Sequence, residues 1–216
     1  MSAAVPASTL LSISKAREEY LPTGLVQLDQ LLGGLPRGAV TELTGGRSSG
    51  KMSLLVSVLA QATERLEFCA VVDVHDAFDL SSAARSGVEL SKLVWVRCRG
   101  NPSTAMKATD LILHGGGFGV VCLDLSDVPP KVLQRIPISW WWRFRRAIEN
   151  TPTVLLVLAG QAQVKSCSSC WLDFRPGRAA WSGGKPALLL AGLNTEVVVR
   201  KPVKAETHVC LSLHAR

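Results

Sequence analysis

Residues 45–53 read Gly-Gly-Arg-Ser-Ser-Gly-Lys-Met-Ser, and the spacing of Gly45, Gly50 and Lys51 is that of a loop that cradles phosphate. In such a loop backbone N–H groups converge on the anion at a helix N-terminus. The glycines permit the tight path, and the lysine adds a point charge on the β- and γ-phosphates. The next residue is usually Ser or Thr, whose hydroxyl ligates magnesium. Here it is Met52, a soft thioether and a poor ligand for a hard cation. Ser53 does not substitute, because one helical step turns a side chain by about 100°. The nucleotide-binding candidates are thus Gly45, Gly46, Arg47, Ser48, Ser49, Gly50, Lys51, Met52 and Ser53, with ATP as the ligand and a weakened hold on magnesium. The chemistry also needs an acid at the end of a buried strand, to place the cation or its water. Asp124, after Val120-Val121-Cys122-Leu123, suits that role, and Asp73 is a second candidate.

A phosphate loop works only between a strand and a helix, and the surrounding pattern supplies both. Residues 39–44 read as a strand and 50–65 as a helix. Upstream, Leu25, Leu28, Leu31 and Leu32 share one face of a short helix that Gly33-Gly34 stops. Downstream, apolar runs at 68–74, 93–97, 118–125 and 153–160 alternate with helical patterns at 81–86, 103–114 and 140–150. Such alternation implies right-handed crossovers and a mostly parallel sheet, an α/β fold. After Cys170 it stops, and 171–174, 187–191, 196–200 and 208–213 read as antiparallel strands between turns. One domain is expected: a tail over 1–20, with a short helix at 14–20, a core over 21–176, and a β extension of the same domain over 177–216.

Hydrophobic residues make up 47% of the chain, which argues against disorder. No apolar run reaches the roughly 18–20 residues of a membrane helix, and the first residues lack a secretion signal. A cytoplasmic protein with no membrane partner is the expectation. Cys167 and Cys170 form a lone CxxC without the further ligands of a zinc site. Charge is uneven: residues 1–130 carry 11 Lys/Arg against 13 Asp/Glu, and residues 131–204 carry 12 against 3. A basic second half suits an acidic partner, of which nucleic acid is the commonest.

The run Trp140-Trp141-Trp142-Arg143-Phe144-Arg145-Arg146 is the other unusual element. Helical spacing puts Trp140, Phe144 and Ile148 on one inward face. That leaves Trp141, Trp142, Arg143, Arg145 and Arg146 as candidates for contact with a partner or DNA. Three readings are open: rings packed inside with solvated arginines, a protein hot spot, or a single-strand stacking platform.

With these residues in place, the chain resembles the RecA-like P-loop family over roughly residues 21–176. Leu35-Pro36-Arg37-Gly38 through Thr41-Glu42-Leu43 to Lys51 is similar to that family's first strand and phosphate loop, and residues 69–79 to its second strand. The resemblance implies that Asp124 is the magnesium-associated acid, and that Gln161, after Leu158-Ala159-Gly160, senses the γ-phosphate. It places His75, beside Asp76, where the family carries a glutamate general base. Between Gln161 and Ser169 only a few residues remain for the family's second DNA loop. Within the family the chain is most similar to the ImuA family, short RecA-like subunits of a bacterial damage-induced mutagenesis system. That likeness implies a non-recombinase scaffold in DNA repair and translesion synthesis within the SOS response. RecA, translesion polymerase subunits and single-stranded DNA would be its partners. The rival expectations are an active DNA-dependent ATPase of RecA type and a cell-division regulator.

Overall fold

The computed structural model describes residues 19–184, 188–202 and 207–214. A two-stranded hairpin of β1 (Tyr20–Leu21) and β2 (Leu35–Pro36) brackets helix α1 (Val26–Leu32). Gly33 caps that helix in the left-handed region at φ 76°, as a glycine after the last turn does. There follow β3 (Ala39–Gly45), α2 (Lys51–Glu64), β4 (Phe68–Asp73), α3 (Leu80–Arg85), β5 (Leu93–Arg97), α4 (Pro102–Gly115) and β6 (Phe118–Leu125). Then come α5 (Pro130–Leu133), α6 (Ile138–Ile148), β7 (Val154–Ala159), β8 (Ser168–Phe174), β9 (Arg178–Ser182), β10 (Leu189–Lys201) and β11 (Thr207–His214).

The described residues form one nine-stranded sheet in the order β11–β10–β8–β3–β7–β6–β4–β5, with β9 also paired to β10. From β8 to β5 neighbouring strands are parallel; β10 runs antiparallel to β8, β9 and β11. The fold is therefore α/β, a mostly parallel central sheet with antiparallel strands at one side. β6 and β7 are buried almost throughout, as strands covered on both faces must be. Helices α2 and α3 cover one face, packing Leu54, Leu55, Val58 and Ala83 against Val71, Cys122 and Leu156. Helices α4 and α6 cover the other, packing Met106, Leu113 and Phe144 against Val72, Leu123 and Leu155. Each such leucine-sized burial is worth about 1.5–3 kcal/mol.

Four details depart from the sequence reading. β8, expected among the antiparallel strands, pairs parallel with β3 and antiparallel only with β10, so the change of direction falls one strand later. β10 is continuous over Leu189–Lys201, where two strands were expected, because a register shift at Leu190/Gly192 absorbs the irregular pattern. β9 lacks an apolar face, being exposed at four of its five positions, so periodicity gives no sign of it. Of the expected helix over 14–20, residues 1–18 lie outside the described residues, and Tyr20 begins a strand.

Helix α6 corrects the reading of the aromatic run. Its buried residues are Trp141, Phe144 and Ile148, not Trp140, Phe144 and Ile148. Trp141 meets Phe144 edge-on, with ring centres 5.9 Å apart and planes at 83°. The helix is turned so that Trp141 is only 3% exposed, while Arg143 stays at the surface and pairs with Asp110 on α4, Nη2 to Oδ2 at 2.8 Å. That rotation carries Trp140 to the flank and Trp141 into the middle of the inward stripe, so Trp141 is no contact residue.

The CxxC cysteines part company in the same way. Cys167 belongs to the core under α6 and Cys170 to the core under α2, so the two thiols serve opposite faces of the sheet. Burial pushes the Cys170 thiol up to about 12, and Cys210 is the exposed one of the six.

Two outcomes test this packing. Phe144→Ala should lower unfolding free energy by about 3–5 kcal/mol, and Trp142→Ala should change it by about 0.5 kcal/mol or less, both read from urea unfolding. A thiol reagent should titrate Cys210 rapidly in the native protein and the other five cysteines only after denaturation.

Candidate nucleotide-binding site

Parallel strands bring their carboxyl ends to one edge, where open α/β sheets bind ligands. That edge gathers the ends of β3 (Gly45), β7 (Ala159), β6 (Asp124 and Leu125) and β4 (Asp73). The loop from Gly46 to Ser49 joins β3 to α2, with Gly46, Arg47 and Ser48 exposed and Ser49 and Gly50 buried. Gly45 has φ +143°, and a Cβ there would lie 2.5 Å from the Phe174 carbonyl oxygen. Gly50 has φ +98°, and its Cβ would lie 2.7 Å from Leu213 Cδ1. Both positions exclude any side chain, on conformation and on space.

Lys51 is 6% exposed. Its ammonium donates to the carbonyls of Gly45 (2.6 Å) and Ala159 (2.9 Å). Burial lowers its pKa, and the charges of Asp124 and Asp127 oppose that effect. Met52 is half-buried against the α2-side core. Together with exposed Ser53 it faces a cleft of about 450 Å³ that also touches Ser82 and Leu213. The Ser49 hydroxyl is buried with no hydrogen-bond partner among the described residues. The loop therefore fits phosphate: its glycine path, its lysine and an unpartnered hydroxyl converge at the start of a 14-residue helix that has no side-chain cap. Met52 follows the lysine where a hydroxyl residue is usual, and it faces the cleft beside Ser82 and Leu213.

Asp124 accepts the Ser126 N–H at 2.9 Å, and burial raises its pKa above the ordinary 3.8. Asp73 is committed to its own turn, accepting N–H groups from His75 (3.1 Å) and Phe78 (2.9 Å). It caps that turn much as Asp124 caps its own through Ser126, and the Trp95 Nε1 also reaches it at 3.4 Å. His75 and Asp76 are exposed in that turn, with Asp76 at φ 57°.

Arg47 pairs with Asp127, Nε to Oδ1 at 2.7 Å, an exposed contact worth at most about 1 kcal/mol. The pair flanks a pocket of about 290 Å³ beside Gly160 and Gln161. Gln161 is exposed at the start of the loop between β7 and β8. Glu42, in the middle of β3, supports that loop: its Oε1 accepts the N–H groups of Gln163 and of Val164 (3.0 Å). Its Oε2 has no hydrogen-bond partner among the described residues, and burial raises its pKa. Sequence reasoning assigned Glu42 no role, although a lone carboxylate inside an apolar strand is a visible signal. Trp142, Arg143, Arg145 and Arg146 do not join this site; they lie on α6, across the sheet from α2.

Residues 8–132 match the RecA N-terminal domain family. Protein RecA of Bifidobacterium breve is 34% identical over 116 residues, covering 52% of this chain and 29% of that protein. Protein RecA of Methylococcus capsulatus is 38% identical over 116 residues, with coverages of 52% and 33%. The mitochondrial DNA repair protein recA homolog of Dictyostelium discoideum is 37% identical over 122 residues, with coverages of 55% and 27%. The chain spans a third or less of the length of these relatives.

The buried acid supplies a pH test. Because Asp124 has a raised pKa in the fold, the folded state holds its proton more tightly than the unfolded chain does. Its ionisation therefore subtracts stability as pH climbs from the ordinary carboxylate value through the raised one, and subtracts nothing below that window. Asp124→Asn retains an oxygen for the Ser126 N–H. It should raise Tm at about pH 7 and leave it unchanged at about pH 3, measured by calorimetry.

Proposed function

The chain belongs to the RecA N-terminal domain family, and we propose that it is a non-recombinase accessory protein of DNA repair whose phosphate loop holds a nucleotide without efficient turnover. The observation that carries this reading is Met52 at the first turn of α2, directly after a lysine and glycine path otherwise built for phosphate. Magnesium links the phosphates to the transition-state charge in phosphoryl transfer, so losing its ligand weakens hydrolysis more than binding. His75 in place of a carboxylate base, exposed on its turn, points the same way. So does the β7–β8 connection, confined to residues 160–167, which leaves little chain for gripping a strand.

The likeness to the ImuA family supports a finer assignment. In it the protein works in damage-induced translesion synthesis beside RecA and polymerase subunits, with ATP as a structural ligand. The basic second half of the chain suits contact with single-stranded DNA in that setting. The competing reading is a DNA-dependent ATPase of RecA type, favoured by Lys51 and by Asp124 at the carboxyl end of β6.

A fluorescent ATP analogue titrated with and without magnesium and single-stranded DNA, with phosphate release followed in the same samples, separates them. We expect binding that gains little from magnesium, and no DNA-stimulated release. Met52→Thr should raise magnesium-dependent affinity by about tenfold, or ~1.4 kcal/mol. DNA-stimulated release by the unaltered protein would establish the ATPase instead, and absence of any binding would sink the nucleotide reading.

A further inference from the structure

The outer side of α6 is not used by the fold. With Trp141, Phe144 and Ile148 turned inward, Ile138 and Trp142 stand 46% and 48% exposed. With Arg143, Arg145, Arg146 and His114 they line an open groove of about 1050 Å³. Leu111, 74% exposed, precedes His114 by three residues on α4 and so sits on the same helix face. The apolar part of this surface is thus three side chains from two helices.

The charges around it are organised. Arg143 is tied to Asp110. The Arg145 guanidinium lies 5.6 Å from the centre of the Trp142 ring, within cation–π range. Arg146 is exposed at the last turn. Exposed Trp flanked by Arg is the composition of interface hot spots.

We propose that this groove docks an acidic amphipathic segment of a protein partner. Its apolar side chains seat on Ile138 and Trp142, and its carboxylates reach Arg145 and Arg146. A peptide suits the surface better than a nucleic acid strand. Ile138 and Leu111 are aliphatic and give bases no aromatic face to stack on. Arg145 already lies over the Trp142 ring. Glu149 places a carboxylate at the groove, which would repel an unbroken phosphate backbone, whereas a peptide can set its charges clear of it. The groove lies on the sheet face opposite α2, so its occupant leaves the phosphate loop free. The inference does not depend on nucleotide binding.

The test uses the full chain and fluorescence anisotropy with three labelled probes. Two are synthetic amphipathic helices of about 18 residues with identical leucine faces at i, i+3, i+4 and i+7, one with a glutamate polar face and one with a lysine polar face. The third is an oligo-deoxythymidine of about 20 nucleotides. The glutamate peptide should bind and the lysine peptide should not. Trp142→Ala and Arg146→Glu, both at exposed positions and checked for an unchanged melting temperature, should each weaken the glutamate peptide about tenfold or more. Failure of the glutamate peptide to bind, or equal binding to both variants, overturns the proposal. So does loss of oligonucleotide binding in these variants while peptide binding stays the same, which would assign the groove to nucleic acid.

Discussion

Strand β3 is held on both sides by parallel partners, and the carboxyl edge of the sheet depends on that double pairing. β7 pairs with it from Ala39↔Val154 to Thr44↔Ala159, and β8 pairs with it up to Gly45↔Phe174. The phosphate loop therefore leaves a strand that has no free edge. Lys51 then bridges the ends of β3 and β7 by donating to both carbonyls. Glu42, farther back along β3, fixes the loop that carries Gln161. Strand, loop and lysine form one unit, with Lys51 tied to the ends of both strands.

Much of this was legible in the sequence because it is periodic. Continuous apolar runs mark β4, β6 and β7, since a strand covered on both faces has no polar side to show. The glycine–lysine spacing places the loop between β3 and α2. What escaped is whatever lacks a period. β9 is exposed nearly throughout, and only its pairing with β10 makes it a strand. In α6 the stripes 140/144/148 and 141/144/148 fit a helix equally well, and the fold buries Trp141 while Trp140 packs on the core only in part. Asp73 reads as a cation acid because it ends a strand as Asp124 does. The N–H groups of His75 and Phe78 that engage it belong to a turn geometry that no residue pattern announces.

The relatives bear on only part of the molecule. The matched segment ends at residue 132, before α6 begins, so the groove on that helix has to be read from its own chemistry. The two surfaces nonetheless share one framework. Phe144 of α6 and Val164 of the β7–β8 loop belong to the same apolar core, and Glu42 holds the Val164 N–H. Packed contact of this kind is a route along which sites can be coupled. Coupling itself requires an element with two arrangements that both ligands bias.

A loop kept only as a turn would have little reason to retain its electrostatic strain. Lys51 and Asp124 are both desolvated, with pKa values displaced toward their neutral forms, and the Ser49 hydroxyl is buried without a partner among the described residues. Of the three, the Ser49 hydroxyl is the unmet group, and an unmet buried polar group costs roughly 1–3 kcal/mol. An anion at the loop would compensate the lysine and offer the hydroxyl an acceptor. On the proposed reading, these desolvated groups serve an anion held at the loop, and Met52 changes the residue beside them without replacing any of them.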